Sequence, residues 1–215
     1  KAIVIDKNNK SAIEYLENNK TRATIIGVDN TEEALCIIAA EYYDNPADKI
    51  KVIGVTGTKG KTTTTYMVKS VLEHAGFSVG LVGTIEITYA DIHIPSVNTT
   101  PGPILLQEHF ATMVDKGVDV CVMEVSSQAL KYGRTDGVTF TVGCYLNIGI
   151  DHISAIEHPD FEDYFQSKMV SLRTSDRCHQ LTHKFHQPNQ RFGVSRMVWQ
   201  SASPGGGVEI RRTLK

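Results

Sequence analysis

A chain of 215 residues is long enough to bury a sizeable core, as one large domain or two small ones. Its 41% hydrophobic and 21% charged residues are ordinary for a soluble globular protein, and a net charge of −2 gives no reason to expect nucleic acid or an anionic membrane as partner. No apolar run approaches the roughly 20 residues of a membrane span and no signal peptide opens the chain, so a cytoplasmic protein is expected.

The elements alternate. Residues 2–5 (AIVI) and 23–27 (ATIIG) read as short buried strands. Residues 31–45 read as a helix: Thr31 can cap it, Glu32 and Glu33 suit the positive end of its dipole, and Leu35, Ile38, Ala39 and Tyr42 form its apolar stripe. Pro46 ends it, and Lys51–Val55 is the next strand. A glycine-rich loop then leads into a helix from about Lys61, with the stripe Val68, Val71, Leu72 and Ala75, and Gly76 as its stop. Strand-like runs follow at 79–88 and 92–94. A helix starts at Pro103, places Leu106, Phe110 and Met113 on one face, and ends near Gly117. Val118–Met123 and Phe140–Ile148 are further strands. Strands alternating with helices predict an α/β fold with a mostly parallel sheet. Cys36 and Cys121 lie in apolar runs and read as small buried thiols of a reducing compartment.

The pattern breaks near Ser171. Residues 173–215 hold six arginines and two lysines, against two arginines and twelve lysines before them, and periodicity is poor throughout. Three readings stand: a metal cluster of Cys178, His179, His183 and His186, a disordered extension, or a change of reading frame or fusion. The abrupt switch from lysine to arginine favours the last. The chain also opens at Lys1 without an initiator Met, so a fragment is expected.

The loop Gly54–Thr65, GVTGTKGKTTTT, stands between a strand and a helix. Such a turn sets backbone N–H groups and the positive end of the helix dipole against an anion. Lys61 can reach outer phosphates, and the Thr62 hydroxyl can coordinate Mg²⁺. The common phosphate loop has a glycine five residues before Gly60, where Val55 stands here, so this loop is a compact, threonine-rich variant. It predicts nucleotide binding through Gly57, Thr58, Lys59, Gly60, Lys61, Thr62 and Thr63. Glu124 follows the apolar strand Val118–Met123 directly. Ligands of parallel sheets bind beyond the carboxyl ends of the strands, so Glu124 is expected to face that loop. If Asp160 caps a last helix, Phe161, Phe165, Lys168 and Leu172 share its apolar stripe. A lysine there must snorkel to solvent, shift its pKa or carry a modification.

Thr56–Thr63, TGTKGKTT, resembles the ATP loop of the Mur ligases, which build the peptide of bacterial cell-wall precursors. Further matches follow in order: the join at Asp29–Gly57, NTTPGP (Asn98–Pro103), VMEVSSQALKYGRTDG (Val122–Gly137), LNIGIDHI (Leu146–Ile153) and DFEDYFQSKM (Asp160–Met169). They are most similar to the branch that adds the third residue, UDP-N-acetylmuramoyl-tripeptide synthetase. The resemblance covers about residues 1–171 and departs at Lys59, where Asn is usual, and at Gln128, where His is usual.

The resemblance implies a P-loop-type central domain over 49–172, the end of a smaller α/β substrate-binding domain over 1–48, and a non-family tail over 173–215. It implies ATP and Mg²⁺, with Thr62, Glu124, His152 and a carbamylated Lys168 as metal ligands and with Lys61, Lys168 and His152 as catalytic residues. Thr99, Thr100, Ser126 and Arg134 match positions that hold the UDP-muramoyl-dipeptide, although a plain turn before Pro101 explains the two threonines equally well. The implied reaction activates the dipeptide carboxylate as an acyl phosphate, which an amino acid's amine then attacks. A monomer working on small molecules, without nucleic acid or membrane, is expected. The family's C-terminal domain, which selects the amino acid, has no match here, so the chain by itself is expected to be inactive. Two alternatives remain: a catalytically dead ATP-binding remnant, and a related ligase such as folylpolyglutamate or cyanophycin synthetase. The NTTP and MEVSS motifs speak against the second.

Overall fold

A computed structural model describes residues 1–19, 22–149, 151, 153–154, 157–173 and 178–180. The first unit is a two-stranded parallel sheet of β1 (Ala2–Asp6) and β2 (Thr24–Val28), with α1 (Lys10–Asn18) between them and α2 (Thr31–Tyr42) after them. The remainder forms a seven-stranded sheet: β3 (Lys51–Thr56), β4 (Val79–Val82), β5 (Glu86–Tyr89), β6 (Ile92–Pro95), β7 (Val120–Glu124), β8 (Val142–Tyr145) and β9 (Cys178–Gln180). Its order is β6-β5-β4-β7-β3-β8-β9. From β4 to β9 all pairs are parallel, and only the β4-β5-β6 edge is antiparallel. The predicted α/β class with a mostly parallel sheet is what the chain adopts.

Helices cover both faces. α3 (Lys61–His74) lies on one and α4 (Pro103–Asp115) on the other, while α5 (Ser127–Lys131) and α6 (Phe161–Arg173) pack together near the ends of β7 and β8. Strand alternation divides the core accordingly. Val55, Val120 and Val122 pack with Val68 and Leu72 of α3, whereas Val52, Cys121 and Met123 pack with Leu106, Phe110 and Met113 of α4. Gly54, on the second face, is forced by that packing: a Cβ there would lie 2.7 Å from two atoms of the buried Phe140 ring. Gly54→Ala is therefore expected to destabilise the fold by about 1–3 kcal/mol, read as a lowered urea midpoint with an unchanged slope.

Several sequence expectations need correction. β1 and β2 are not buried: Ile25 and Ile26 are 40% and 44% exposed, and α1 between the strands buries none of its own residues, so no tightly packed layer encloses this sheet. On α2 the buried residues are Cys36, Ala39 and Ala40, not the stripe through Leu35, Ile38 and Tyr42. Small side chains win there because α2 packs closely on α4 and on the Gly133–Gly137 turn, where the Cys36 thiol donates to the Gly133 carbonyl at 3.0 Å. The cap of α2 is Asn30, whose Oδ1 accepts from the Glu32 and Glu33 amides, rather than Thr31. Val71 of α3 points to solvent, since Val68 and Leu72 already fill the sheet contact.

The run at 79–88 is two antiparallel strands around a turn at 83–85. Helices α1 and α5 were not anticipated; each begins with a side-chain cap, Asn9 and Ser126, and only the five-residue α5 is too short to show periodicity. Within the tail, Cys178–Gln180 pairs with β8 as β9. His183 and His186 lie outside the described residues.

Candidate active site

Three parallel strands end side by side: β3 runs into the glycine loop, β7 ends on Glu124 and β8 leads into Leu146–Asn147. The register pairs Val55 with Glu124 and Thr56 with Tyr145, so everything that follows these positions collects at one edge of the sheet.

The loop closes into α3 through Gly60, whose φ of 85° is a left-handed conformation that a Cβ would oppose. No side chain caps this helix, so its first amides face outward without an acceptor from the helix itself. Asn147 fastens the loop from the β8 side: its carbonyl accepts from the Thr58 amide (3.1 Å), its Oδ1 accepts from the Lys59 amide (3.0 Å), and its Nδ2 donates to the Lys59 carbonyl (2.9 Å). The Lys59 ammonium pairs with Asp151 at 2.8 Å on the exposed side. Thr63 is exposed on the first turn of α3.

Two lysines converge on one carbonyl. Lys61 donates to the Gly57 carbonyl at 2.9 Å, and Lys168, from α6, donates to the same oxygen at 3.1 Å. Lys168 is 1% exposed, so it does not snorkel. Its neighbours on the buried face of α6 are Tyr164 and Ser167, while Phe161 is exposed, which corrects the expected stripe. Burial, reinforced by the nearby Lys61 charge, pulls the Lys168 pKa down to about 7, with Asp151 opposing. Burial lowers that of Lys61 as well, against the pull of Glu124. Tyr164 lies beneath, its ring 4.8 Å from the Lys168 ammonium and its hydroxyl 2.9 Å from that of Thr58. α6 is held in place by Lys131 of α5, which donates to Asp163 (2.7 Å) and to the Glu157 carbonyl (3.1 Å), and by His158 against Asp163 (2.6 Å). Gln128 joins this contact by donating to Glu157 at 3.2 Å.

Glu124 is fully buried, yet its carboxylate meets donors only. Oε1 accepts from the Thr84 amide (2.9 Å); Oε2 accepts from the hydroxyls of Thr62 and Thr84 (3.0 Å each). A carboxylate beside the Thr62 hydroxyl places hard oxygen ligands together at the mouth of a phosphate loop, a set that fits Mg²⁺.

Thr99 and Thr100 lie beside this cluster. The Thr100 hydroxyl is buried, donating to the Glu124 carbonyl (2.9 Å) and accepting from the Ser126 amide (3.1 Å), so it ties its loop to the end of β7. Ser126 caps α5 through Oγ. Arg134 is half-buried just past α5, with its amide donating to the Ala129 carbonyl. His152 lies outside the described residues. Thr84, Asn147 and Tyr164 were missed individually; Asn147 and Tyr164 stood inside quoted motifs, and Thr84 stood in none.

A family model described as Mur ligase middle domain matches residues 55–174. The chain belongs to the Mur ligase family. Among its curated relatives, the UDP-N-acetylmuramoyl-L-alanyl-D-glutamate–2,6-diaminopimelate ligase of Clostridium tetani is 46% identical over 175 residues, covering 81% of this chain and 35% of the relative. The corresponding L-lysine ligase of Streptococcus mutans is 45% identical over 152 residues, covering 71% of this chain and 31% of the relative. The chain thus spans about a third of the length of these relatives. The fold is also that of a solved diaminopimelate-adding Mur ligase (TM-score 0.67, 18% identity, 82% of this chain and 39% of that one). A Mycobacterium tuberculosis folylpolyglutamate synthase complexed with ADP and AMPPCP shares it too (TM-score 0.55, 18% identity, 69% and 42%). No helix among the described residues is long and apolar enough to cross a membrane.

Proposed function

We propose that this chain is the ATP-binding part of a ligase that joins an amino acid to UDP-N-acetylmuramoyl-L-alanyl-D-glutamate. The observation that carries the reading is the meeting of Lys61, Thr62 and the Glu124 carboxylate at the start of an uncapped helix. Residues 49–172 form the catalytic core in this reading, and residues 1–48 the end of a substrate-binding domain. Relatives named for diaminopimelate and for L-lysine match at nearly equal identity, so the amino acid is one of these two.

ATP binds with its phosphates against the α3 amides and the Lys61 ammonium, which stabilise charge as the γ-phosphoryl group moves to the dipeptide carboxylate. The acyl phosphate formed is attacked by the amine of the incoming amino acid, releasing phosphate. Thr62 and Glu124 would hold Mg²⁺, which would supply further neutralisation of the phosphate charge. Lys168, with a pKa near 7, is in good part a neutral amine at physiological pH, the form that adds CO₂ to give a carbamate and a proton. Its position beside the loop would suit that carbamate as an oxygen ligand of a second Mg²⁺. Thr99 and Arg134 are proposed to hold the dipeptide substrate, with Thr100 and Ser126 shaping the loop that carries them.

The test is nucleotide binding by calorimetry on the 215-residue chain. Mg·ATP is expected to bind, and Lys61→Ala to weaken it about 10- to 100-fold, the worth of one charge-assisted hydrogen bond. Absence of binding to the wild type would overturn the reading. With dipeptide and either amino acid added, no tripeptide product is expected from these residues alone; its detection would show that they suffice.

A further inference from the structure

The β4–β5 turn supplies most of what holds Glu124, although no motif marks it. Thr84 contributes two of the three donors on that carboxylate, its amide to Oε1 and its hydroxyl to Oε2. The residue before it leaves room for this approach: a Cβ on Gly83 would lie 2.7 Å from Oε1. The Thr84 hydroxyl also lies 3.1 Å from that of Thr99. A hydroxyl has one proton and a carboxylate only accepts, so Thr84 gives its proton to Glu124 and Thr99 donates to Thr84. Thr84 itself is exposed to the cleft, so its hydroxyl contributes no core packing.

We propose that Thr84 is a positioning residue which fixes the Glu124 carboxylate, aimed at Thr62, for a divalent cation on the bound nucleotide. This rests on the nucleotide-binding reading above. Partners that orient a ligand from behind typically matter 10- to 100-fold in metal affinity. Thr84 keeps its backbone donor in any variant, so the lower end applies to loss of the hydroxyl.

The experiment compares ATP affinity with Mg²⁺ and with EDTA, by calorimetry on the full chain, for wild type, Thr84→Val, Thr84→Ala and Thr84→Ser. The exposed position makes folded variants accessible, which circular dichroism checks, and alanine serves if valine fails. Thr84→Val or Thr84→Ala is expected to lose about 10-fold of the Mg²⁺-dependent gain while the affinity in EDTA stays at the wild-type value, and Thr84→Ser to restore the gain. A gain equal to wild type in the variants lacking the hydroxyl would overturn the proposal. So would a parallel loss with and without Mg²⁺, which marks a purely structural role. A wild type that binds ATP equally with and without Mg²⁺ overturns this inference and leaves the nucleotide reading standing. A wild type that binds no ATP overturns both.

Discussion

Replacing Lys168 by methionine is expected to stabilise the protein at pH 6 and to remove a rise in stability that the wild type shows between about pH 7 and the alkaline range. Lys168 is 1% exposed and its pKa falls from 10.5 to about 7 on folding. Within that window the unfolded chain binds the proton and the folded chain does not, so wild-type stability increases with pH. Each pH unit is worth about 1.4 kcal/mol for a full proton. Below pH 7 both states are protonated and the full cost of the buried charge is present; above pH 10.5 both are neutral and the cost has vanished. Methionine fills a similar volume without a charge, so its curve lacks this slope. Urea denaturation at pH 6, 8 and 9.5 in CO₂-free buffer checks the prediction, and parallel curves for the two proteins would refute it.

Glu124→Gln is expected to abolish the Mg²⁺-dependent gain in ATP affinity and to lower stability by about 1.5–3 kcal/mol, the worth of a hydrogen bond to a charged group. The amide keeps one acceptor where three donors now point, and its NH₂ turns toward two hydroxyls or a backbone amide. The urea midpoint reads the second effect and calorimetry with Mg²⁺ against EDTA the first. A variant that keeps the Mg²⁺ gain would remove Glu124 from the metal site.

The same two residues mark how far the sequence can be read. Glu124 was placed by a local rule, since a carboxylate at the end of a central parallel strand faces the edge where ligands collect. Lys168 was singled out because a lysine on a buried helical stripe is costly, although the stripe itself was drawn wrongly through Phe161. Helix faces failed wherever the partner decided them. On α2 the periodicity favoured Leu35, Ile38, Ala39 and Tyr42, of which only Ala39 is buried; close packing on α4 and a glycine turn selected Cys36 and Ala40 beside it. β1 and β2 have buried-strand composition, and whether burial follows is decided by the layer packed on the sheet's faces.

By itself the sequence determined the alternation of strands and helices, the phosphate loop, and the family motifs. These rest on short-range patterns: capping, periodicity and backbone freedom act over a few neighbouring residues. Only the tertiary structure decided that Thr84, forty positions from Glu124, completes the carboxylate's shell, that Lys61 and Lys168 share the Gly57 carbonyl, and that Thr100 fastens its own loop. Such contacts join residues brought together by strand order in the sheet. β7 inserts between β3 and β4, and no local signal encodes which strand will do so.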